Sequence, residues 1–258
     1  MKKLHRMGVR LLAVLFVLGT VQAWAQDATQ ALPRTLVPAE RLGDAWWKER
    51  HEANKTRIAQ GDVDLLLVGD SITHGWDGNG KDVQQYYYGD RKSVNMGFGG
   101  DQPQHVLWRL NDAPMDKISP KAAVLLIGVN SLWGTWDDCE VGTARGVQAC
   151  VDKLLALYPN IKILVLNIFI AGDPSKTDQH QRIARTNELL PGLLCGEKYK
   201  NVQIKSLNHL WTNADGQILN YLLPDYCHPN QLGYKLWGAE VEPIVAEMLG
   251  DKAKAALQ

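Results

Sequence analysis

The chain turns from an apolar run into a polar one at Asp64-Leu-Leu-Leu-Val-Gly-Asp-Ser-Ile-Thr-His-Gly-Trp76. Leu65–Val68 has the length and composition of a buried strand, and Ser71 follows it almost directly. A strand that ends in a Gly-Asp-Ser turn is typical of an α/β protein, in which polar side chains gather where the strands end. This stretch therefore predicts both a parallel sheet and a reactive serine at its edge.

A second polar segment near the end of the chain complements Ser71. In Asp225-Tyr-Cys-His-Pro229, Asp225 and His228 lie three residues apart. A serine hydroxyl is a weak nucleophile until a base takes its proton, and the base needs a third group to fix its tautomer. Serine, acid and imidazole are the minimum set for nucleophilic acyl transfer, so the three residues are a candidate triad in the order Ser, Asp, His.

Short apolar runs alternate with helical patterns along the rest of the chain. Each run is four to eight residues long and apolar on both faces, which suits buried parallel strands. The alternation predicts a three-layer α/β/α sandwich with a five-stranded parallel sheet. The predicted strands are 65–68, 93–96, 122–127, 161–168 and 202–206, and the predicted helices are 40–60, 102–111, 143–158, 177–194 and 232–249.

The first 25 of the 258 residues have the pattern of a secretory signal peptide. A basic start precedes the apolar run Leu11–Val21, and Ala23-Trp24-Ala25 has the small residues of a cleavage site. The run is shorter than the roughly 20 residues that a membrane-spanning helix needs, so no stable membrane anchor is expected. The prediction is an exported protein, periplasmic or extracellular, with a loose segment over 26–38 and one domain over 39–250.

The charge balance argues against a nucleic-acid partner. The chain has 28 basic residues, four of them within 1–25, and 28 acidic residues, none of them there. The exported chain therefore has a net charge of about −4, whereas nucleic-acid binding favours a basic face. The cysteine spacings match no zinc motif, and the proposed chemistry needs neither a metal nor a cofactor.

Four polar or glycine-rich segments follow the predicted strands and meet at one edge of the sheet. Besides Ser71 and the Asp225–His228 loop, they are Gly97-Phe-Gly-Gly-Asp101 and Gly128-Val-Asn130. Acyl transfer needs donors directed at a developing oxyanion. The backbone N–H groups of Ser71 and Gly100 and the side-chain amide of Asn130 are the candidates. Alone, the glycines would indicate only a tight turn, and Asn130 a helix cap.

These four segments together resemble the sequence blocks of the SGNH hydrolase, or GDSL esterase/lipase, superfamily. The similarity extends over roughly 64–249, and Gly99-Gly-Asp-Gln-Pro-Gln-His-Val-Leu-Trp-Arg-Leu110 is most similar to the branch of the platelet-activating factor acetylhydrolase Ib catalytic subunits. That branch often has Gly-Thr-Asn-Asn where this chain has Gly128-Val-Asn-Ser131. The resemblance implies a flavodoxin-like fold, Ser71 as nucleophile, His228 as base oriented by Asp225, and Gly100 and Asn130 completing the oxyanion hole.

The function implied is an exported serine esterase for short-chain acyl esters. Acetyl groups on carbohydrate are the first substrate choice, since an exported protein meets acetylated polysaccharides. Phospholipid or lysophospholipid esters and thioesters are the alternatives, and a catalytically inactive carbohydrate-binding module on the same fold is the alternative outside enzymes. The expected partner is a small-molecule or polysaccharide ester; the oligomeric state stays open.

Aromatic residues and cysteines complete the set of candidates. Three tryptophans in loops at the active edge are candidate substrate-lining residues, namely Trp76, Trp133 and Trp136. The alternative for them is loop packing. His74, one helical turn after Ser71, is a further candidate. Trp46 and Trp47 are predicted to be core residues. An exported protein can form disulfides. The layout favours Cys139 bonded to Cys227, with Cys150 as the alternative partner, and predicts that Cys195 is free.

Overall fold

The computed structural model describes residues 32–134, 136, 139–175 and 177–257, without the side chain of Thr177. The predicted signal peptide, 1–25, and residues 26–31 lie outside the described residues. From Arg34 onward the described residues form one compact unit.

Five parallel strands form the sheet, in the spatial order β2-β1-β3-β4-β5. All but the last are nearly continuous runs of buried residues, as expected when helices cover both faces. The strands are β1 Leu65–Gly69, β2 Ser93–Gly97, β3 Ala122–Leu126, β4 Lys162–Leu166 and β5 Val202–Lys205. The predicted three-layer fold with five parallel strands is confirmed.

Helices pack on both faces because successive strand residues point to opposite sides. Leu65 and Leu67 of β1 pack with one set of helices, and Leu66 and Val68 pack with the other. The helices are α1 Ala45–Ala59, α2 Ser71–His74, α3 Lys81–Tyr88, α4 Pro103–Asp112, α5 Cys139–Leu157, α6 Thr177–Leu193, α7 Asn208–Trp211 and α8 Gln231–Leu249. Helices α3, α7 and α8 cover the first face, and α1, α4, α5 and α6 chiefly cover the second.

The strand order creates a crevice between β1 and β3. The chain leaves β1 toward β2 on one side and later returns to β3 on the other, so the connections diverge at this point. In open α/β sheets, ligands bind at such a switch point beyond the carboxyl ends of the strands. Ser71 follows β1 and Asn130 follows β3, so both predicted site residues flank the crevice.

The predicted loose segment at 26–38 needs a correction where the structure describes it. Arg34–Leu36 forms a short 3-10 helix, and the Thr35 side chain is fully buried. The Thr35 hydroxyl donates a hydrogen bond to the carbonyl of Gly142 in α5. This hydrogen bond joins the segment to a distant helix, a long-range contact that the polar composition concealed.

The expected disulfide between Cys139 and Cys227 is wrong. All four cysteines are free thiols. Cys139 donates to the Glu140 carboxylate, and Cys150 packs against the opposite face of the sheet from Cys139 and Cys227. Burial raises the pKa of Cys227 to about 12, so this thiol stays protonated at neutral pH. Cys195 is free, as predicted.

Across the described ranges, no helix combines the length and the apolar character needed to cross a membrane.

Candidate active site

Ser71 is the first residue of helix α2, and the two residues before it fix its position. A side chain at Gly69 is excluded, because its Cβ would lie 2.2 Å from the carbonyl oxygen of Leu126 on neighbouring β3. Asp70 caps the helix by accepting a hydrogen bond from the Ile72 amide at 3.0 Å. The strand therefore ends abruptly, and the Ser71 side chain projects from a rigid turn at the edge of the sheet.

The structure brings the three residues of the predicted triad into one hydrogen-bonded chain. Nε2 of His228 lies 2.7 Å from Oγ of Ser71, and Nδ1 of His228 lies 2.6 Å from Oδ2 of Asp225. Because the carboxylate can only accept, it fixes the proton on Nδ1 and leaves Nε2 to accept from the serine hydroxyl. This is the geometry that an activated serine nucleophile requires.

Asp225 also holds the loop that carries His228. Its Oδ1 accepts hydrogen bonds from the backbone amides of Cys227 and His228, at 3.0 and 2.7 Å. Partial burial opposes ionisation, but the hydrogen bonds from the backbone and ring of His228 outweigh it and lower the pKa of the Asp225 carboxyl. The carboxylate thus stays ionised through the neutral range and continues to orient the imidazole.

The three candidate oxyanion donors lie in the segments that follow β1, β2 and β3. Ser71 lies at a helix N-terminus, where its amide has no partner within the helix. Gly100 has a φ of +74°, a conformation that favours glycine, and it lies in the turn after β2. Asn130 donates one amide hydrogen to the carbonyl of Asp101 at 3.0 Å, which leaves its second hydrogen for a ligand.

A buried ionic network fixes the loop that carries Gly100. The fully buried carboxylate of Asp101 accepts from the Arg109 guanidinium at 2.9 Å, from the Trp47 indole at 2.8 Å and from Arg41 at 3.1 Å. The Arg109 guanidinium also stacks on Phe98, 4.0 Å from the ring centroid. Since the Asp101 carbonyl accepts from Asn130, the same residue links two of the candidate oxyanion donors.

The model of the GDSL-like lipase/acylhydrolase family matches residues 67–236, about two thirds of the chain. The chain belongs to this family. It is 28% identical over 212 residues to the platelet-activating factor acetylhydrolase IB subunit alpha2 of Rattus norvegicus, a match that covers 80% of this chain and 86% of that protein.

Solved structures share the fold of this GDSL-family chain. A GDSL-like lipase from Bacteroides thetaiotaomicron superposes with a TM-score of 0.61 and 16% identity, covering 77% of this chain and 97% of that one. An acetyl xylan esterase superposes with a TM-score of 0.57 and 22% identity, covering 71% of this chain and all of the other. Membership of this family makes the protein an acylhydrolase of ester bonds.

Trp76 is not at the site, which corrects its interpretation as a substrate-lining residue. Its side chain is 1% exposed and packs against Tyr234 and Trp237 of α8, with ring centroids 4.7 and 4.8 Å away. The 3-10 turn Gly75–Asp77 directs the indole inward, onto the core beneath α3 and α8. Sequence position alone placed it near Ser71, but the local backbone turns it away.

The other predicted lining residues have different environments. Trp133 is exposed, whereas Trp136 is half-buried and donates from its indole nitrogen to the Ser131 carbonyl at 2.9 Å. His74 is half-buried and stacks on Trp46 with ring centroids 6.1 Å apart. Burial, followed by the positive charge of Arg50, lowers the pKa of His74, so this ring is neutral at neutral pH.

Sequence reasoning missed two residues beside the site. The sequence predicts both Trp46 and Trp47 as core residues, but Trp46 is exposed and only Trp47 of the pair is buried. Neighbouring helix positions point about 100° apart, so both cannot face the sheet. Arg41 donates to the Gly99 carbonyl at 2.7 Å and to Asp44, which ties the start of α1 to the glycine loop.

Among the described residues, no cluster of His, Cys, Asp or Glu side chains is arranged to hold a metal ion.

Asn130→Ala is expected to lower kcat by roughly 10²–10³-fold with little change in KM, the usual effect of removing one oxyanion donor. The reason is that the free Asn130 hydrogen gains its full interaction only when negative charge develops on the substrate. Steady-state kinetics on an aryl acetate measure the effect, with a thermal unfolding curve to verify the fold. A raised KM with unchanged kcat would instead make Asn130 a ground-state binding residue.

Asp70→Asn is expected to change how stability depends on pH. Burial raises the pKa of Asp70 to about 7, and its Oδ2 has no hydrogen-bond partner in the described part of the chain. The folded protein therefore loses stability as pH rises from about 4 to about 7, because the carboxyl ionises in the unfolded chain while the folded chain keeps it protonated. The neutral amide removes this loss, which is on the order of 2–4 kcal/mol.

Chemical unfolding at pH values from 4 to 8 tests this expectation. The stability of Asp70→Asn relative to the native chain should rise across that range and level off above pH 7. Asp215→Asn, at an exposed loop position, is the control and should leave the pH profile unchanged. Parallel profiles for Asp70→Asn and the native chain would show that Asp70 is ionised in the folded state throughout.

Proposed function

We propose that this protein is a serine esterase that removes acetyl and other short acyl groups from carbohydrate. One observation carries the proposal: the hydrogen-bonded chain from Asp225 through His228 to Ser71, with contacts of 2.6 and 2.7 Å, at the switch point of the sheet. An inactive binding module would have no use for a serine hydroxyl aligned on an imidazole that is itself oriented by a carboxylate.

The first half of the proposed reaction acylates Ser71. Its Oγ forms a bond to the ester carbonyl carbon while the hydroxyl proton passes to Nε2 of His228. The carbonyl π electrons move onto oxygen, and the resulting oxyanion accepts hydrogen bonds from the Ser71 and Gly100 amides and from Asn130. The carbon–oxygen bond to the alcohol then breaks, and the alcohol leaves with the proton from Nε2. Asp225 stabilises the imidazolium throughout.

The second half repeats these steps with water. His228 takes a proton from water, and the water oxygen forms a bond to the acyl carbon of the ester on Ser71. The same donors hold the second oxyanion. The bond between Oγ and the acyl carbon then breaks, Oγ recovers the proton from Nε2, and the free acid departs. No metal or cofactor takes part in either half.

An acetyl group is the proposed acyl group, because relatives and structural neighbours with different named substrates agree on it. The curated relatives are acetylhydrolases of platelet-activating factor, and solved structures with the same fold include acetyl xylan esterases. A carbohydrate alcohol is favoured over a lipid one by exposed tryptophans near the site, since aromatic rings offer flat amphipathic surfaces to a ligand.

An acetyl ester of a phospholipid is the second candidate. It is supported by the 28% identity to the platelet-activating factor acetylhydrolase subunit over most of both chains. Both candidates use the same triad and differ only in the leaving alcohol. A thioester is a third possibility, for which the site has no specific feature.

Acetate release by the purified full chain tests the proposal. We expect turnover of p-nitrophenyl acetate well above that of the octanoate ester, and faster acetate release from acetylated xylan than from platelet-activating factor. The reverse order of the two natural substrates would favour the phospholipid candidate. No acetate release from any of the three acetyl esters would contradict the esterase proposal itself.

Export is proposed on the pattern of residues 1–25. Expression of the full chain in a bacterium with two membranes should yield periplasmic or secreted protein that begins at Gln26. Protein that retains Met1 and stays in the cytosolic fraction would contradict export without affecting the esterase proposal.

A further inference from the structure

Two tryptophans near the candidate site are exposed to solvent. Trp46 is 42% exposed and Trp133 is 44% exposed, whereas Trp47, Trp76, Trp211 and Trp237 are fully buried. Removal of an indole ring from water is favourable. An exposed indole beside a reactive group therefore offers apolar surface to a ligand. The positions of Trp46 and Trp133 relative to Ser71 show what kind of ligand both could contact.

Trp46 lies close to the nucleophile. A Cβ atom built on Gly99 would be 3.6 Å from Cη2 of Trp46, 4.0 Å from Nδ1 of His74 and 4.0 Å from Cβ of Ser71. One point above the glycine loop thus touches both Trp46 and the nucleophile. A ligand bound at Ser71 that extends over Gly99 would therefore contact Trp46.

The Trp46 ring is held in place by its neighbours. His74 stacks nearly parallel to it, with an angle of 10° between the planes, and the Arg41 guanidinium lies 5.7 Å from the ring centroid. All three nitrogens of Arg41 donate to protein acceptors, namely Asp44, Asp101 and the Gly99 carbonyl. This cation is therefore already neutralised, which favours an uncharged ligand on Trp46 over a phosphate group.

Trp133 lies on the other side of the nucleophile. Its Cζ3 would be 3.5 Å from a Cβ on Gly172, in the loop after β4, and Arg182 fixes the backbone beside it by donating to the Gly134 carbonyl at 2.9 Å. The Gly172 amide donates to the carbonyl of Tyr226, two residues before His228. Trp133 is thus on the side of the base that protonates the leaving alcohol.

The two rings flank Ser71 along the edge of the sheet. Trp46 lies over the loop after β2, and Trp133 extends from β3 toward the loop after β4, with β1 and Ser71 between them. Two to three strand spacings separate these positions, roughly 10–14 Å. That separation exceeds one sugar ring and matches a short stretch of a polysaccharide.

We propose that Trp46 and Trp133 are stacking platforms for a linear acetylated polysaccharide that lies across the active edge. The sugar whose ester is cleaved stacks on Trp133, beside His228, and a second sugar of the same chain stacks on Trp46. The platforms recognise several linked sugars rather than one. This inference rests on the proposed carbohydrate esterase function and adds the requirement for an oligomeric substrate.

Binding to an inactive chain tests the platforms without any turnover. In a Ser71→Ala background, calorimetry with acetylated xylohexaose should give a Kd that Trp46→Ala weakens by roughly tenfold, the effect of one lost aromatic contact. Acetylated xylose is too short to reach both rings, so its Kd should respond far less. Leu189→Ala is the matched control, because Leu189 is an exposed apolar residue on α6, about 18 Å along the helix from its active-edge end.

Kinetics of the native and Trp46→Ala enzymes complete the test. The ratio of kcat/KM for acetylated xylohexaose to that for p-nitrophenyl acetate should fall at least tenfold in Trp46→Ala. A changed preference between acetate and octanoate aryl esters would overturn the inference by making Trp46 part of an acyl subsite. Equal loss on the hexamer and on acetylated xylose would also overturn it. Absence of aryl esterase activity in the native chain would instead contradict the proposed function.

Discussion

Ser71→Ala is expected to lower kcat on an aryl acetate by about 10³-fold or more while the protein keeps its fold. The variant removes the oxygen proposed to form the covalent bond to the acyl group, and His228 then has no hydroxyl partner at 2.7 Å. The backbone of α2 depends on the Asp70 cap and not on the serine side chain, so folding should persist. Initial rates and thermal unfolding measure the two properties separately.

Ser119→Ala is the control for this substitution, because Ser119 is an exposed serine just before β3, at the opposite edge of the sheet. It should match the native enzyme in both rate and stability. Retained turnover in a folded Ser71→Ala protein would show that another group is the nucleophile.

Asp225→Asn is expected to lower kcat by about 10⁴-fold with the loop intact. The amide carbonyl can still accept from the Cys227 and His228 backbone, so the loop keeps its two anchoring hydrogen bonds. The amide nitrogen, however, would donate toward Nδ1, which favours the imidazole tautomer that carries its proton on Nε2. That tautomer cannot accept the proton of Ser71.

Parallel histidine variants distinguish the base in this triad from its neighbour in sequence. His228→Ala should abolish turnover to a similar degree, whereas His74→Ala should weaken it modestly at most. If His74→Ala were inactive and Asp225→Asn fully active, His74 would be the base. The Asp225–His228 pair would then have only a structural role.

Much of the fold could be predicted from the sequence because the strands are buried on both faces. Continuous apolar runs such as Leu65–Val68 mark such strands directly, and alternation with helices leaves few arrangements. The convergence of Ser71, Gly100, Asn130 and His228 followed from the same logic, since parallel strands end at one edge. Each of these residues lies in a segment that immediately follows a strand or precedes the last helix.

The two misassigned tryptophans are Trp76, in an irregular segment, and Trp46, at the start of helix α1, and in both cases the direction of the side chain decides its environment. Trp76 and Trp133 both lie in loops, but a 3-10 turn buries one and the open loop after Asn130 exposes the other. Trp46 and Trp47 are adjacent, and Trp47 is the one that faces inward, where its indole nitrogen donates to Asp101. Periodicity carries no information on the Trp76 loop, whereas in α1 the buried residues Trp47, His51, Asn54 and Ile58 recur at helical spacing on one face, which excludes Trp46.

The buried ion pair beneath the Gly100 loop was not predicted, although the position of Arg109 indicates it. Arg109 lies in the otherwise largely apolar face of α4, eight residues after Asp101, and a charged residue there needs a buried partner. That reasoning could have paired the two. It could not have revealed that the Asp101 carbonyl also orients Asn130, because backbone contacts between loops depend on the finished fold.

Covalent labelling shows whether Ser71 is the nucleophile. The native chain is incubated with a fluorophosphonate, which transfers its phosphonyl group to an activated serine, and the adduct is located by peptide mass mapping. We expect one adduct per chain, on Ser71, formed in step with the loss of esterase activity and absent from Ser71→Ala and His228→Ala. An adduct on another serine, or full inactivation with Ser71 unmodified, would contradict this expectation.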